Sequence, residues 1–158
     1  MRLKAIDDAK FAWLMDEIPA PPDAPALPVG GLAPQAVLSL IRGLAVSVGS
    51  VLGGDVAWLM IVDGEAVGLI SLTKVGDPSR PEIGYGVAPS RQRRGHARSA
   101  VAALIELVVD RFAGLVAETA VYNAASQGSL ARNGFSVCGK RTDAEDGPVL
   151  CWAINFDR

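Results

Sequence analysis

The sequence is poor in the residues that metal sites and disulfide frameworks are made from. Its 158 residues hold two cysteines and one histidine. The usual four-ligand zinc site cannot be assembled from these without carboxylates, so no metal is expected. An excess of either charge is also lacking. Fifteen Lys and Arg stand against 17 Asp and Glu, giving a formal charge of −2 and a pI near 5.3. A nucleic-acid-binding domain should be basic, so no nucleic-acid partner is expected. No uninterrupted apolar run reaches the roughly 18 residues that cross a bilayer, so no membrane partner is expected either. The start, Met1-Arg2-Leu3-Lys4-Ala5-Ile6-Asp7-Asp8, turns acidic where a signal peptide turns apolar. What remains is a cytoplasmic globule, half hydrophobic and therefore able to form a packed core. Its length fits one domain, residues 1–158, burying about two-thirds of its unfolded surface.

The informative stretch runs from Glu82 to Phe112. Ile83, Tyr85 and Val87 alternate with small or polar residues, the pattern of a half-buried strand, and Pro89 ends the ladder because it has no N–H to donate. Beyond Gly95, the residues Val101, Leu104, Ile105, Val108 and Phe112 recur at helical spacing. Strand, tight polar turn and helix in succession aim free backbone N–H groups and the positive end of a helix dipole at one spot. Arg91, Arg93 and Arg94 add charge there, and Gly95 removes a side chain that would block a ligand. The element is a phosphate cradle. It is not a dinucleotide fingerprint, since Pro89 stands where a third glycine is needed after Gly84 and Gly86. Nor is it a P-loop, since Gly139-Lys140 is followed by Arg141.

Around this centre the chain alternates strands and helices. Leu3 to Ile6 forms a first strand, and Asp7 or Asp8 caps a helix through about Glu17 that buries Phe11, Leu14 and Ile18. Pro19 to Pro28 is a proline-rich loop. Pro34 opens a second helix whose stripe is Val37, Leu40, Ile41, Leu44 and Val48. Asp63-Gly64 turns a hairpin between Val56–Val62 and Ala66–Val75. After the central helix, Leu115 to Tyr122 pairs parallel to the Glu82 strand at one end at least, through a right-handed crossover. Asn123 caps a short helix ending near Asn133-Gly134. Phe135–Arg141 and Val149–Phe156 close the chain as an antiparallel pair. The fold class is α/β (α+β), with a mixed, mostly antiparallel sheet, a central strand-turn-helix and helices on both faces. Cys138 and Cys151 read as reduced core cysteines on neighbouring strands. Trp13, Trp58 and Trp152 read as core or interface.

Gln92-Arg93-Arg94-Gly95-His96-Ala97 fits Gln/Arg-x-x-Gly-x-Gly/Ala. It follows Glu-Ile-Gly-Tyr-x-Val-x-Pro and precedes an apolar helix, and in this the sequence resembles the GCN5-related N-acetyltransferase (GNAT) superfamily. Ala117-Glu118-Thr119, Asn123, Ala125-Ser126 and Arg132-Asn133-Gly134-Phe135 are similar to the corresponding run of the branch containing the ribosomal-protein N-terminal acetyltransferases. The likeness covers nearly the whole chain. It implies acetyl-CoA as cosubstrate and direct attack of a primary amine on the thioester. The acceptor is a small molecule or a protein N-terminus, and a homodimer stays open.

The resemblance also implies roles. Gln92, Arg93, Arg94, Gly95, His96 and Ala97 would hold the pyrophosphate, with His96 as wall or phosphate neighbour, not as a base. Tyr85 and Val87 would offer the strand edge to pantetheine amides, and an N–H near Val87 would face the acetyl carbonyl. Glu82 would accept the amine's proton, directly or through water. Its plain alternative is an exposed strand-end carboxylate. Glu118 is a weaker candidate, better read as a solvated or ion-paired sheet residue. Asn123 would bind the pantetheine arm and also cap its helix. Ser126 would lie near the sulfur as a candidate acid, or simply bond backbone in the first helical turn. Many relatives have a tyrosine acid at the position of Leu130, which leaves the acid here unassigned. A second reading is a non-catalytic acyl-CoA-binding or sensing module that keeps the cradle alone.

Overall fold

The computed structural model describes residues 1–157. Seven strands form one sheet: β1 (Arg2–Ala5), β2 (Ala57–Val62), β3 (Glu65–Lys74), β4 (Glu82–Val87), β5 (Gly114–Ala120), β6 (Ser136–Asp143) and β7 (Gly147–Asn155). Their order is β1-β2-β3-β4-β5-β7-β6. Among the described residues four α-helices accompany them: α1 (Asp8–Leu14), α2 (Gln35–Leu52), α3 (His96–Val108) and α4 (Ala124–Ala131). Neighbouring strands run antiparallel except β4 and β5. The mixed, mostly antiparallel sheet read from the sequence is the one observed.

Two apolar clusters sandwich this sheet. On one face Val101, Leu104 and Val108 of α3 are fully buried against Ile70, Leu72, Ile83, Leu115 and Trp152. On the other, Phe11, Trp13 and Leu14 of α1 and Leu38 of α2 pack on Ala57, Leu59 and Leu69. All three tryptophans are thus core, and the indole N–H of Trp152 donates to the buried Thr119 hydroxyl at 3.0 Å. Asp63 and Gly64 both have positive φ, 50° and 78°, the primed turn whose twist matches a two-residue hairpin.

Three local expectations are corrected. α1 stops at Leu14 rather than near Glu17, and Asp16 turns into the left-handed region at φ 61°. Continuing the helix would place Asp16 and Glu17 at its negative end. Glu17 instead receives Arg42 Nη1 at 3.0 Å, while Arg42 Nε donates to Asp8 at 2.7 Å, and Ile18 is left exposed. On α2 the buried residues are Leu38 and Val48, with Ile41 and Ala45 packed beside them, whereas Val37 and Leu40 face outward. The helix is apolar nearly all round, so periodicity could not select its face. Its 18 residues at mean hydropathy 1.6 are long and apolar enough to cross a membrane, which no uninterrupted run suggested. In this fold it packs on the sheet and is tied to α1 through Arg42. Finally, Cys138 is exposed, not core. It sits at a register shift between Val137 and Gly139 on the outermost strand, and Cys151, which pairs with Gly139, is half-buried. Both are free thiols.

The feature that makes a site is where β4 and β5 part. Their parallel register covers only Glu82–Val116 and Ile83–Ala117. Beyond it β5 stays paired to β7 as far as Ala120–Val149, and β4 stays paired to β3 as far as Val87–Gly68. Val116 N–H donates to Pro81 O at 3.1 Å, so the odd-numbered residues of β4 turn their peptide groups toward β5. Tyr85 and Val87 therefore present theirs to the gap.

Candidate active site

A cleft of about 810 Å³ opens in that gap, between β4, the turn after it, the start of α3 and α4. Tyr85, Gly86 and Val87 form its floor, Gln92, Arg93, Gly95, His96 and Ala97 one wall, and Asn123 and Ser126 the opposite one. The turn is a single 3-10 turn over Pro89–Arg91, followed by extended Gln92. Gln92 Nε2 donates to Val87 O at 3.2 Å and so fastens the turn to the strand end. Arg93 (φ 65°) and Gly95 (φ 77°) both lie in the left-handed region. A Cβ on Gly95 would meet nothing within 4 Å, so within the protein the glycine is required by its backbone angle. From it α3 begins with the N–H groups of its first turn free of helical partners.

The arginines sort differently from the sequence expectation. Arg91 donates to Glu65 on β3 at 2.6 Å and 3.1 Å, and this pair holds the Glu65 carboxyl below its usual range. Its charge is spent on anchoring the turn. Arg94 is exposed and is not part of the cleft wall, whereas Arg93, Arg98 and Arg132 are. Arg98 and Arg132 were missed, although helical spacing signals both. Arg98 falls in the first turn of α3, and Arg132 continues the face of Ala125, Gly128 and Ser129 along α4.

Asn123 Oδ1 accepts the Ser126 N–H at 3.1 Å, the capping bond expected of it. Ser126 Oγ lies 2.8 Å from the Tyr85 hydroxyl, which can also donate to Ser126 O at 3.3 Å. Burial pushes the Tyr85 phenol above its ordinary value, partly offset by the Ser126 hydrogen bond. Leu130 is fully buried in the α3 cluster and does not line the cleft. The acid position carried over from the resemblance therefore points into the core.

Glu82 lies on the sheet's other face, since Ile83 beside it points under α3. Thr73 Oγ1 is 3.5 Å from Glu82 Oε2. Burial, then the adjacent Glu118, push the Glu82 carboxyl above its ordinary value, and Lys74 and Thr73 pull the other way. Glu118 is ion-paired, as its plainer reading had it: Arg141 Nη2 donates to it at 2.6 Å. That interaction holds Glu118 below its ordinary value. Cys151 Sγ is 3.7 Å from Glu118, and burial together with that carboxylate pushes the thiol up. Among the described residues no group of His, Cys, Asp and Glu could hold a metal.

A gap between splayed parallel strands, with free helix N–H groups and arginines at its mouth, suits a long ligand that carries phosphate. The Acetyltransferase (GNAT) domain profile matches residues 35–136, and the chain belongs to that family. It is an acetyltransferase of the GNAT kind. No curated protein sequence matches it. Among solved structures it is similar to the ribosomal L7/L12 α-N-protein acetyltransferase RimL in complex with coenzyme A. The TM-score is 0.70 at 20% identity, over 98% of this chain and 93% of that one. The Salmonella typhimurium acetyltransferase that modifies the N-terminal serine of L7/L12 aligns with TM-score 0.68 at 19% identity, over 98% and 94%. The aminoglycoside acetyltransferase AAC(6')-Ib with coenzyme A aligns at 0.66 and 18%, over 97% and 93%.

Proposed function

We propose that this chain acetylates a peptide α-amine, which reaches the thioester from the Glu82 face while acetyl-CoA lies along the cleft. One observation carries the reading: β4 and β5 separate after Ile83, which leaves the cleft and its cradle on one face of β4 and Glu82, just before the split, on the other. In this reading the N–H groups at Gly95, His96 and Ala97 hold the diphosphate with Arg93, Arg98 and Arg132. Gln92 serves by fixing the turn. The peptide groups of Tyr85 and Val87 pair with pantetheine as an added strand would, and one of their N–H groups meets the charge developing on the acetyl oxygen. Asn123 shapes the far wall, and Ser126 lies at the sulfur.

Glu82 takes the proton from the attacking amine, through water rather than by contact. Tyr85 lies three residue steps along the strand from it, about 10 Å at the rise of a strand. A carboxylate working at that range suits an amine that already loses its proton easily. A peptide α-amine has a pKa of about 8, against about 10.4 for a lysine-like amine, so far more of it is neutral at pH 7. Two proteins of the same fold, the α-N-protein acetyltransferase RimL and the Salmonella typhimurium enzyme that modifies the N-terminal serine of L7/L12, favour the same choice of acceptor.

The test is thiol release from acetyl-CoA against a panel of N-terminal peptides, polyamines and aminoglycosides. Saturable release with peptides, at lower KM than with polyamines, is expected. Tight acetyl-CoA binding without release for any amine would favour the acyl-CoA-sensing reading instead.

A further inference from the structure

We propose that Tyr85 supplies the proton for the departing thiolate, passing it through the Ser126 hydroxyl. This rests on the placement of Ser126 at the sulfur in the reading above and adds a donor that the reading lacks. A serine hydroxyl alone is a poor acid, and the helix position that could have offered a phenol is Leu130, buried in the core. The structure brings a phenol to the same place from β4. Tyr85 and Ser126 come from elements 41 residues apart in sequence, yet their oxygens are 2.8 Å apart and both residues line the cleft.

The pair is held from both sides. Asn123 caps Ser126 through its N–H, and the Tyr85 ring is fixed against the α3 cluster. A tyrosine needing only a partner for a half-buried hydroxyl would be satisfied by Ser126 O at 3.3 Å. The closer oxygen is Oγ. When Tyr85 donates to it, the Ser126 proton is free to turn into the cleft.

Each atom then has a place. The amine nitrogen bonds to the acetyl carbon, the C–S bond breaks, and its electron pair stays on sulfur. The Ser126 proton moves to sulfur, the Tyr85 proton moves to Ser126 Oγ, and solvent reprotonates the phenolate. The amine's own proton leaves through Glu82. Burial keeps the phenol protonated at neutral pH, so the donor stands loaded. Among the described residues, the other charged or titratable groups on the cleft are His96 and Arg98 of α3, Arg91 and Arg93 of the turn and Arg132 just past α4. No carboxylate among them could act as donor.

The test uses Tyr85→Phe and Ser126→Ala in the full chain, with turnover against pH, acetyl-CoA calorimetry and a proton inventory in mixed H₂O and D₂O. Tyr85→Phe should keep acetyl-CoA affinity within about twofold and lower kcat by about 10- to 100-fold at pH 7. The deficit should shrink above pH ~8.5, where a thiolate departs without a proton. The inventory, curved in the wild type, should become linear, and Tyr85→Phe/Ser126→Ala should be no slower than Ser126→Ala alone. A Tyr85→Phe variant with wild-type rate at every pH would overturn the relay. So would one whose loss is equal at every pH and accompanied by weakened binding, which would make Tyr85 a wall. If Ser126→Ala is also fully active, the placement of Ser126 itself fails. An impaired Ser126→Ala beside a normal Tyr85→Phe would sink the relay alone.

Discussion

Arg141 reaches from β6 across the intervening β7 to grip Glu118 on β5, its Nη2 donating to Oε1 at 2.6 Å and its Nε to Oε2. The pair keeps Glu118 ionised to low pH, and that fixed negative charge, second to burial, raises the neighbouring Glu82. Two carboxylates pushed apart in this way are suited to different tasks, Glu82 to accept protons and Glu118 to stay charged.

The pH dependence follows with a definite sign. Glu82 must be ionised to act, so kcat/KM should fall as pH drops through its raised pKa. Glu82→Gln should lower kcat/KM about 100-fold at pH 7 with unchanged acetyl-CoA affinity, the loss narrowing as pH rises and free amine becomes abundant. Glu118→Gln, by removing the negative neighbour, should move the acid limb to lower pH. Stability should shift oppositely at the two sites. Glu82 binds its proton more tightly folded than unfolded, so it disfavours folding as pH rises through its folded pKa, and Glu82→Gln should raise Tm at pH 7. Glu118, with its depressed pKa, stabilises above the ordinary carboxylate range and loses that contribution as pH falls. Profiles of kcat/KM and Tm against pH check both, and an unchanged acid limb in Glu118→Gln would remove its role.

The arginines should separate by position. Arg98→Ala and Arg132→Ala are expected to weaken acetyl-CoA binding roughly 10-fold each, with a shallower salt dependence, as the loss of one charge-assisted contact implies. Arg94→Ala should stay within about twofold. Calorimetry at two salt concentrations distinguishes these, and an Arg94 effect as large as that of Arg98 would contradict the wall described above.

Gly95 tests the turn itself. Gly95→Ala adds a methyl that meets nothing in the protein, but it forces an L-residue to φ 77° at a cost of about 1–2 kcal/mol. The variant should melt a few degrees lower and bind acetyl-CoA more weakly than Arg93→Ala does. Gly95→Asp should be worse still, since it sets a carboxylate against the diphosphate. Normal affinity in both would show that the cradle lies elsewhere.

How far the sequence could be read depended on whether a local pattern had one physical solution. The β4–turn–α3 unit was legible because alternation, a proline stop, a glycine turn and a helical stripe all agree over 31 residues. The Asp63-Gly64 hairpin was legible because one turn type fits. The face of α2 was not, because apolar residues surround it. Arg91 looked like a phosphate ligand because its partner Glu65 is 26 residues away, and no local spacing announces that contact. Tyr85 was assigned to the strand edge by its backbone. Its hydroxyl contact with Ser126 spans 41 residues and depends on where α4 docks.

Leu130 gives the sharpest contrast between motif and geometry. By resemblance it marks the place of a phenolic acid, and Leu130→Tyr would then bring a donor to the sulfur and leave turnover equal or faster. In the structure its side chain is fully buried in the same cluster as Val101, Leu104 and Phe135. A tyrosine there needs more volume than leucine leaves, and its hydroxyl needs a partner among apolar neighbours. Overpacking of this kind costs about 1–3 kcal/mol, which for a chain of this size lowers Tm by roughly 3–9 °C. The expected variant is therefore destabilised, with acetyl-CoA affinity within a few-fold of wild type and no gain in turnover below the thiol pKa. Melting curves and a pH–rate profile decide the matter. A Leu130→Tyr protein as stable as wild type and faster below pH 8 would mean that α4 turns this position to the cleft, and that Tyr85 is not the donor on which the chain relies.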